Sequence, residues 1–166
     1  LVNFIPKYGD CMINIGILGL GYVGTALKEG FKSFCSIETY DLIPNLSTCN
    51  SIEKLISKVD IVFICVPTPM NEDGSCNIDI IKSIIKEIDN CNNSNNKIIV
   101  IKSTVPPGTT SSLSDQYPNL DIFFNPEFLT EANFIEDFKN QDRIILGGLK
   151  KSISVLKELY NKVFPE

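Results

Sequence analysis

Three glycines give the segment GLGYVG the spacing of a turn that binds phosphate groups. Gly19 permits a tight turn off a strand, and Gly21 has no Cβ to hold the backbone away from a pyrophosphate. Gly24 lets the following helix lie close to the sheet. The backbone amides of Tyr22 and Val23 would then face the phosphates at the positive end of that helix. The segment therefore predicts a pyrophosphate site.

Asp41 follows the glycine turn by roughly 20 residues, where a carboxylate can bind both ribose hydroxyls of an adenosine. Its charge would repel a 2′-phosphate, and no arginine or lysine occurs at residues 42–45 to offset that repulsion. Together the two features predict a dinucleotide site that favours NAD over NADP. The simpler alternative, a glycine turn without a ligand, leaves the agreement between strand, helix and acidic residue unexplained.

Polar residues also follow two later apolar runs. The segment KSTVPPGTT begins at Lys102, and the segment NPEFLTE begins at Asn125. Because ligands of open α/β sheets bind at the carboxyl ends of strands, either segment could line such a site. The first segment could equally be a helix cap with prolines that end the strand. For Glu127 and Glu131 in the second segment, spacing alone favours a solvated helical turn.

The elements that must position these residues alternate between β-like and helix-like patterns. Apolar residues at helical spacing predict helices between the strands, and Asn50 with Glu53 has the spacing of a capping box. The alternation predicts a Rossmann-type, doubly wound α/β fold with a mostly parallel sheet of about six strands in the order 3-2-1-4-5-6. Short apolar runs predict those strands at residues 13–18, 36–40, 61–66, 97–101, 121–124 and 143–146.

Composition narrows the classes of function. The 166 residues carry a net charge of −5 and no basic run, which argues against a nucleic acid or an anionic membrane as partner. Neither a membrane span nor a signal-peptide pattern is apparent, so we expect a cytoplasmic protein. Six cysteines occur without a CxxC pair or any histidine, which favours reduced thiols and predicts no metal site. Residues 1–11 are interpreted as an N-terminal extension, and residues 12–166 as one domain.

Four segments together resemble the NAD-binding domain of the UDP-glucose/GDP-mannose dehydrogenase family. They are GLGYVG, VDIVFICVPTPMNEDGSCNIDII, KSTVPPGTT and NPEFLTEANFIEDFKNQDRIILGG. They occur in the order and spacing of the family and span nearly the whole chain from Met12 onward. The second and fourth are more similar to the UDP-glucose enzymes than to the GDP-mannose ones. Such enzymes oxidise the sugar 6-hydroxyl to a carboxylate in two NAD-dependent steps, through a thioester on a cysteine.

The resemblance implies a role for each matching position. Glu127 matches the glutamate that assists thioester hydrolysis, together with a water and the threonine that matches Thr104. Phe128, Leu129 and Glu131 match the segment that meets the sugar nucleotide and the nicotinamide end. For Glu127 and Glu131, the resemblance therefore replaces the expectation of a solvated turn with a role in the site. The spacing of the two residues does not indicate that role. The residues expected to contact NAD are Gly19, Gly21, Tyr22, Val23, Gly24, Asp41, Val66, Thr68, Thr104 and Glu131.

The chain also departs from the family. The nucleophilic cysteine of the family lies in a glycine-rich, GxCxxKD-like segment, and its catalytic lysine and asparagine lie on a long central helix. Neither segment occurs in these 166 residues, and none of the six cysteines has that context. The stretch between Asp41 and Asn50 looks shortened, which affects the expected adenine contacts.

Three hypotheses about function therefore stay open. The chain is the cofactor-binding part of a UDP-glucose 6-dehydrogenase, with a UDP-sugar as partner only if the missing domain is supplied. Alternatively it is a free-standing NAD-binding sensor or sequestering module without redox turnover, or a fold that acts only as an interaction partner. The apolar residues of 1–11, and the surface that the central helix would cover, predict self-association or docking of that extension, with self-association favoured.

Overall fold

A parallel sheet of five strands forms the centre of the molecule in the computed structural model, which describes residues 13–148, 150 and 152–165. The strands lie side by side in the order β2-β1-β3-β4-β5, and every neighbouring pair is parallel. The Rossmann-type α/β fold with a parallel sheet is therefore confirmed. In chain order the strands are β1 (Ile13–Leu18), β2 (Cys35–Tyr40), β3 (Ile61–Ile64), β4 (Ile98–Ile101) and β5 (Asp121–Phe124).

Helices cover both faces of the sheet. In chain order they are α1 (Tyr22–Phe31), α2 (Ile52–Ile56), α3 (Asp79–Asp89), α4 (Thr109–Gln116), α5 (Phe134–Lys139) and α6 (Ile153–Val163). Buried residues of α1, α5 and α6 form one core, and buried residues of α2, α3 and α4 form the other. Successive strand residues alternate between the two cores, as Phe63 and Ile64 do in β3. The sheet is therefore buried on both faces.

Both edges of the sheet are partly covered by the chain itself. Beside β5, Gly147 forms an antiparallel bridge with Phe124, and both N–H···O distances are 2.8 Å. Beside β2, the loop that follows takes the place of a neighbouring strand: the Thr39 amide donates to Thr48 Oγ1 at 2.8 Å. The Thr48 amide in turn donates to the Thr39 carbonyl oxygen at 3.0 Å. The outward backbone groups at these positions are therefore paired.

The strand order 3-2-1-4-5-6 predicted from the sequence is wrong, because β3 lies beside β1 rather than outside β2. All four residues of β3 are buried, which requires neighbouring strands on both sides and helices on both faces. β2, with the sequence CSIETY, is half polar and suits an edge. From β2 the chain passes through a short 3₁₀ helix, Pro44–Leu46, and α2 directly to β3. The observed order, 2-1-3-4-5, is the flavodoxin-like one.

Two local predictions are also corrected. The sixth strand predicted at residues 143–146 does not form; in the part of the chain that the structure describes, Gly147 pairs there with the end of β5, antiparallel to it. The helix expected to be capped by Asn50 has Ser51 as its N-cap, and the Ser51 hydroxyl accepts the Lys54 amide at 3.1 Å. The extension predicted at residues 1–11 lies outside the described residues.

A few general properties of the described residues bear on function. Five cysteines in this part of the chain are free thiols: Cys35, Cys49, Cys65, Cys76 and Cys91. The same residues contain no cluster of histidine, cysteine, aspartate and glutamate side chains suited to a metal ion. Within 13–148, 150 and 152–165, no helix has the length and apolar character needed to cross a membrane.

Candidate functional site

The carboxyl ends of the five strands meet at one edge of the sheet and carry the residues singled out in the sequence. In spatial order this edge presents Asp41 after β2, the glycine turn after β1, then the residues that follow β3, β4 and β5. Neighbouring strands lie roughly 4.8 Å apart, so Asp41 and Glu127 are four strand spacings, or roughly 19 Å, from each other. Because β2 and β3 flank β1 on opposite sides, the switch point of the topology lies at the glycine turn.

Backbone packing accounts for two of the three glycines of the turn. Gly19 has a φ of +90°, and a Cβ there would lie 2.9 Å from the Cys65 carbonyl oxygen. A Cβ on Gly24 would lie 1.9 Å from the Gly19 carbonyl oxygen. A Cβ on Gly21, by contrast, would meet no heavy atom of the described chain within 4 Å. Open space therefore lies over Gly21, at the N-terminus of α1, where the first helical amides have no intrahelical acceptor.

Asp41 is tied to the glycine turn. Its Oδ2 accepts the Leu20 backbone amide at 2.6 Å, and its Oδ1 accepts the Ile43 amide at 2.8 Å. Each carboxylate oxygen can accept more than one hydrogen bond, so the side chain retains capacity for ligand hydroxyls. The exposed Leu42 and Ile43 follow it directly. Asp41 therefore orients the turn and retains acceptor capacity beyond its two backbone partners.

Ser103 links the ends of β3 and β4 at the centre of the edge. Its hydroxyl donates to the Val66 carbonyl oxygen at 2.6 Å. Thr104 follows as an exposed residue, and its carbonyl oxygen accepts a weak hydrogen bond from Cys76 Sγ, 3.5 Å away. Thr68 lies half-buried in the loop after β3. Val66, Thr68 and Thr104, which the sequence proposed for the cofactor cleft, thus lie on adjacent loops.

A buried ion pair joins the ends of β4 and β5. The Lys102 ammonium nitrogen lies 2.8 Å from Glu127 Oε2, and the two side chains are 2% and 10% exposed. The same nitrogen donates a hydrogen bond to Asn125 Oδ1 at 3.0 Å. Glu127 Oε1 accepts the Phe128 amide at 2.9 Å. The 2.8 Å separation of Oε2 from the ammonium is that of a charge-assisted hydrogen bond, and no other donor among the described residues reaches this oxygen.

Tyr160 of α6 extends this ion pair into a buried network. Its hydroxyl donates to Asn125 Oδ1, and Asn125 Nδ2 donates to the Ile145 carbonyl oxygen at 2.9 Å. Burial raises the pKa of Tyr160 to about 12. Burial by itself lowers the pKa of Lys102, but the nearby Tyr160 and Glu127 side chains outweigh that effect, and the net pKa is raised above 10.5. Lys102 is therefore a charged ammonium ion inside the protein at neutral pH.

The segment that follows Glu127 leaves the sheet and lines a cleft of about 420 Å³. Phe128 and Leu129 border this cleft, and the Arg143 guanidinium lies over the Phe128 ring, 5.2 Å from its centroid. Glu131 is exposed in the turn before α5 and is not among the lining residues of the cleft. The structure thus brings Phe128 and Leu129 together with Glu127, while Glu131 lies outside their cleft.

The sequence reasoning did not identify Lys102, Asn125 and Tyr160 as parts of the site. A signal was present for Lys102, because it directly follows a strand whose four residues are all buried, and a lysine buried there needs a counter-ion. Tyr160 offered no such signal, since it fits the apolar face of α6. Only the packing of that helix against the sheet brings its hydroxyl to Asn125.

Comparison with known protein families gives a match over most of the chain. The family model described as the UDP-glucose/GDP-mannose dehydrogenase family, NAD binding domain, matches residues 35–164. The glycine turn precedes this range, so its geometry adds an observation that the match does not contain.

Individual relatives agree with the family match. UDP-glucose 6-dehydrogenase TuaD of Bacillus subtilis is 33% identical over 187 residues, covering 90% of this chain and 40% of its own length. UDP-glucose 6-dehydrogenase of Gallus gallus is 38% identical over 117 residues, covering 63% of this chain and 23% of its own length. The solved UDP-glucose dehydrogenase from the hyperthermophilic archaeon Pyrobaculum islandicum superimposes with a TM-score of 0.82 at 27% identity, over 96% of this chain and 46% of that one. The chain spans less than half the length of these relatives.

Buried groups make the stability of this chain sensitive to alkaline pH. Burial raises the pKa of Cys35 to about 11 and the pKa values of Cys65 and Tyr160 to about 12, and the pKa of Lys102 is also raised. In each case the native state keeps a proton that the unfolded chain releases at lower pH. The stabilisation is complete below about pH 9 and is lost as pH rises towards about 12, by up to about 1.4 kcal/mol per pH unit for each group. Denaturant unfolding measured across this window tests the expectation.

Two variants separate titration from packing. Tyr160→Phe keeps the ring but removes the titrating hydroxyl, so we expect a shallower fall in the free energy of unfolding above about pH 10. Val59→Ala shortens a fully buried side chain that does not titrate, and should lower stability equally at every pH. An unchanged slope in Tyr160→Phe would contradict the assignment.

Proposed function

The chain belongs to the UDP-glucose/GDP-mannose dehydrogenase family, as its NAD-binding domain, and we propose that it holds NAD along the carboxyl edge of the sheet for the oxidation of a sugar nucleotide. The observation that carries the proposal is the open space over Gly21. It lies at the N-terminus of α1, where helix amides and the helix dipole attract anionic groups. Asp41 lies beside it, fixed by its hydrogen bond to the Leu20 amide.

The residues around the glycine turn suit one half of NAD. The pyrophosphate would lie over Gly21 and receive hydrogen bonds from the amides of Tyr22 and Val23. The adenosine ribose would bind Asp41, whose two oxygens already accept one backbone amide each. The exposed side chains of Leu42 and Ile43 supply apolar surface for the adenine ring, in place of the longer segment expected between Asp41 and Asn50.

The nicotinamide half would extend over Val66 and Thr68 towards β4 and β5. NAD, when bound there, supplies the acceptor for a hydride from the substrate carbon. Glu127 Oε2 has only the Lys102 ammonium as a donor in the described chain, so its second lone pair can accept a hydrogen bond from a water molecule. Thr104 is exposed at the end of β4, where its hydroxyl would help to hold that water. These two residues are our proposed catalytic residues.

We propose UDP-glucose as the sugar nucleotide, which is the substrate named for the relatives in Bacillus subtilis and Pyrobaculum islandicum. Phe128 and Leu129 in the cleft, with Glu131 beyond it, would contact this substrate. The 166 residues of the chain include no GxCxxKD-like segment to supply the nucleophilic cysteine. We therefore propose that this chain by itself binds NAD without completing the oxidation.

The organisation of the whole chain is part of this proposal. We propose that residues 12–166 form the NAD-binding domain and that the protein acts in the cytoplasm. Self-association is proposed as well, on the basis of the apolar residues in 1–11. The net charge of −5 supports neither a nucleic acid nor an anionic membrane as partner.

Two alanine substitutions in the glycine turn should affect different properties, one the affinity for NAD and the other the stability of the fold. Gly21→Ala adds a Cβ in open space at a φ of −71°, so we expect a change of about 0.5 kcal/mol in unfolding free energy but at least about tenfold weaker NAD binding. Gly24→Ala adds a Cβ 1.9 Å from the Gly19 carbonyl oxygen and should cost about 1–3 kcal/mol of stability. Calorimetric titration measures the NAD affinity of each variant, and denaturant unfolding measures its free energy of unfolding. Undiminished NAD affinity in Gly21→Ala would argue against the proposed pyrophosphate position.

Asp41 should determine the choice between NAD and NADP. Asp41→Ala removes the ribose acceptor and the negative charge. We therefore expect NAD affinity to fall roughly tenfold to a hundredfold, and the difference between the affinities for NAD and NADP to become smaller. Asp41→Asn removes the charge but keeps one acceptor oxygen, so it should narrow the gap with a smaller loss of NAD affinity. Fluorescence titration with both reduced cofactors gives the ratio. Equal affinities for the two cofactors in the unmutated chain would refute the role of Asp41.

The purified chain should bind NAD but fail to convert UDP-glucose to UDP-glucuronate. Without covalent capture on a cysteine, the activated intermediate needed for the second oxidation does not form. The test follows absorbance of NADH with UDP-glucose in excess, beside a chain in which all six cysteines are replaced by serine as the background. Steady NADH production that is lost when one of these cysteines is replaced by serine would show that the chain contains its own nucleophile.

A further inference from the structure

Lys102 is a buried charge without a role in the proposed reaction. The residue is 3% exposed and directly follows β4, at the edge of the sheet where we propose that NAD binds. A buried ammonium ion is costly unless it is paired and hydrogen-bonded, and a whole buried ion pair can often be replaced by apolar residues without loss of stability. Stability alone therefore does not account for the Lys102–Glu127 pair at this edge.

The geometry around the ammonium ion points towards Glu127. Asn125 Oδ1 accepts a hydrogen bond from Lys102 Nζ at 3.0 Å and another from the Tyr160 hydroxyl. The ammonium is thereby fixed relative to α6. From that position it lies 2.8 Å from Glu127 Oε2, while the Phe128 amide holds Oε1 from the other side at 2.9 Å. The carboxylate is thus held at both oxygens, by a charge on one and by a backbone amide on the other.

We propose that Lys102 is a positioning residue that fixes the orientation of the Glu127 carboxylate, with Asn125 and Tyr160 fixing Lys102. The functional consequence rests on the proposed role of Glu127 in the reaction. The attraction of Lys102 for Oε2 keeps that oxygen in place and uses one of its two lone pairs. The second lone pair of Oε2 remains able to accept a hydrogen bond from water.

This arrangement also connects the site to α6. Tyr160 packs its ring against Phe31 and Phe164, with centroid distances of 5.4 Å and 6.4 Å, so its position follows that of the surrounding helices. A shift of α6 would move the Tyr160 hydroxyl, then Asn125 and the ammonium, and finally the carboxylate. The orientation of Glu127 therefore depends on the packing of a helix on one face of the sheet.

Lys97 provides a matched comparison within the same strand region. It immediately precedes β4, whereas Lys102 immediately follows it. Its Nζ lies 2.5 Å from the Val59 carbonyl oxygen and 3.7 Å from Asp60 Oδ1, and its side chain is 13% exposed. Lys97 is thus a largely buried, paired lysine at the opposite end of the strand, where it stabilises the fold without contacting the site.

Hydrogen exchange of the Phe128 amide tests the proposal in the full chain, because this amide donates to the oriented carboxylate. Lys102→Met should accelerate its exchange about fivefold or more, as expected for loss of one hydrogen bond, at a temperature where the variant remains folded. Lys97→Met should leave the exchange rate of this amide unchanged even where it lowers the melting temperature. Equal rates in Lys102→Met and the unmutated chain would overturn the proposal.

A milder variant covers the case in which Lys102→Met fails to fold. Tyr160→Phe keeps the ring contacts and removes only the hydroxyl on Asn125, so it should accelerate exchange of the Phe128 amide about twofold. With Lys102→Met unfolded, an unchanged rate in Tyr160→Phe would overturn the proposal. Titration of the same proteins with NAD separates the two questions: an unmutated chain that does not bind NAD refutes the proposed function, whereas the exchange rates still decide whether Lys102 positions Glu127.

Discussion

Burial of the parallel sheet on both faces is the constraint on which the rest of this structure depends. Two layers of helices cover β1, β3 and β4, whose residues are almost entirely inaccessible to water. Since the faces are occupied, polar side chains from several strands can converge only where the strands end. The carboxyl edge collects the glycine turn, Asp41, Thr104 and Glu127 for this reason, although they are far apart in the chain.

At that edge, electrostatics sets a second requirement. The Lys102–Glu127 pair is almost completely removed from water, and such a pair is stable only when further hydrogen bonds satisfy both groups. Asn125 and the Phe128 amide supply these bonds, and Tyr160 completes the network. Removal of one partner would leave the other charge buried and unpaired, so the network behaves as a unit. The site is therefore cross-linked by paired groups at its β5 end, whereas open space lies over Gly21 at its β1 end.

The sequence predicted the fold class and the tight turn at Gly19 and Gly24, but not the network around Lys102. Glycines in a tight turn leave a local signature, because Gly19 and Gly24 occupy positions where a Cβ does not fit. The pairing of Lys102 with Asn125, 23 residues later, depends on the register of β4 with β5, which no local pattern contains. The predicted strand order was wrong for a similar reason: the apolar run of β3 indicates a central strand but not which strands lie beside it. The apolar run at residues 143–146 has a strand-like pattern, yet among the described residues only Gly147 after it pairs with the sheet, through a single bridge.

The covered edges of the sheet have a consequence for how copies of this chain can meet. Exposed edge strands are templates on which another chain can add a strand, leading to domain swapping or aggregation. Here the Thr39–Thr48 hydrogen bonds occupy the outer side of β2 near its carboxyl end, and the Gly147–Phe124 bridge occupies the end of β5. A continuous intermolecular sheet would first have to displace both. Strand addition by a second chain is therefore obstructed at the carboxyl ends of both edges, which are also the ends where the candidate site lies.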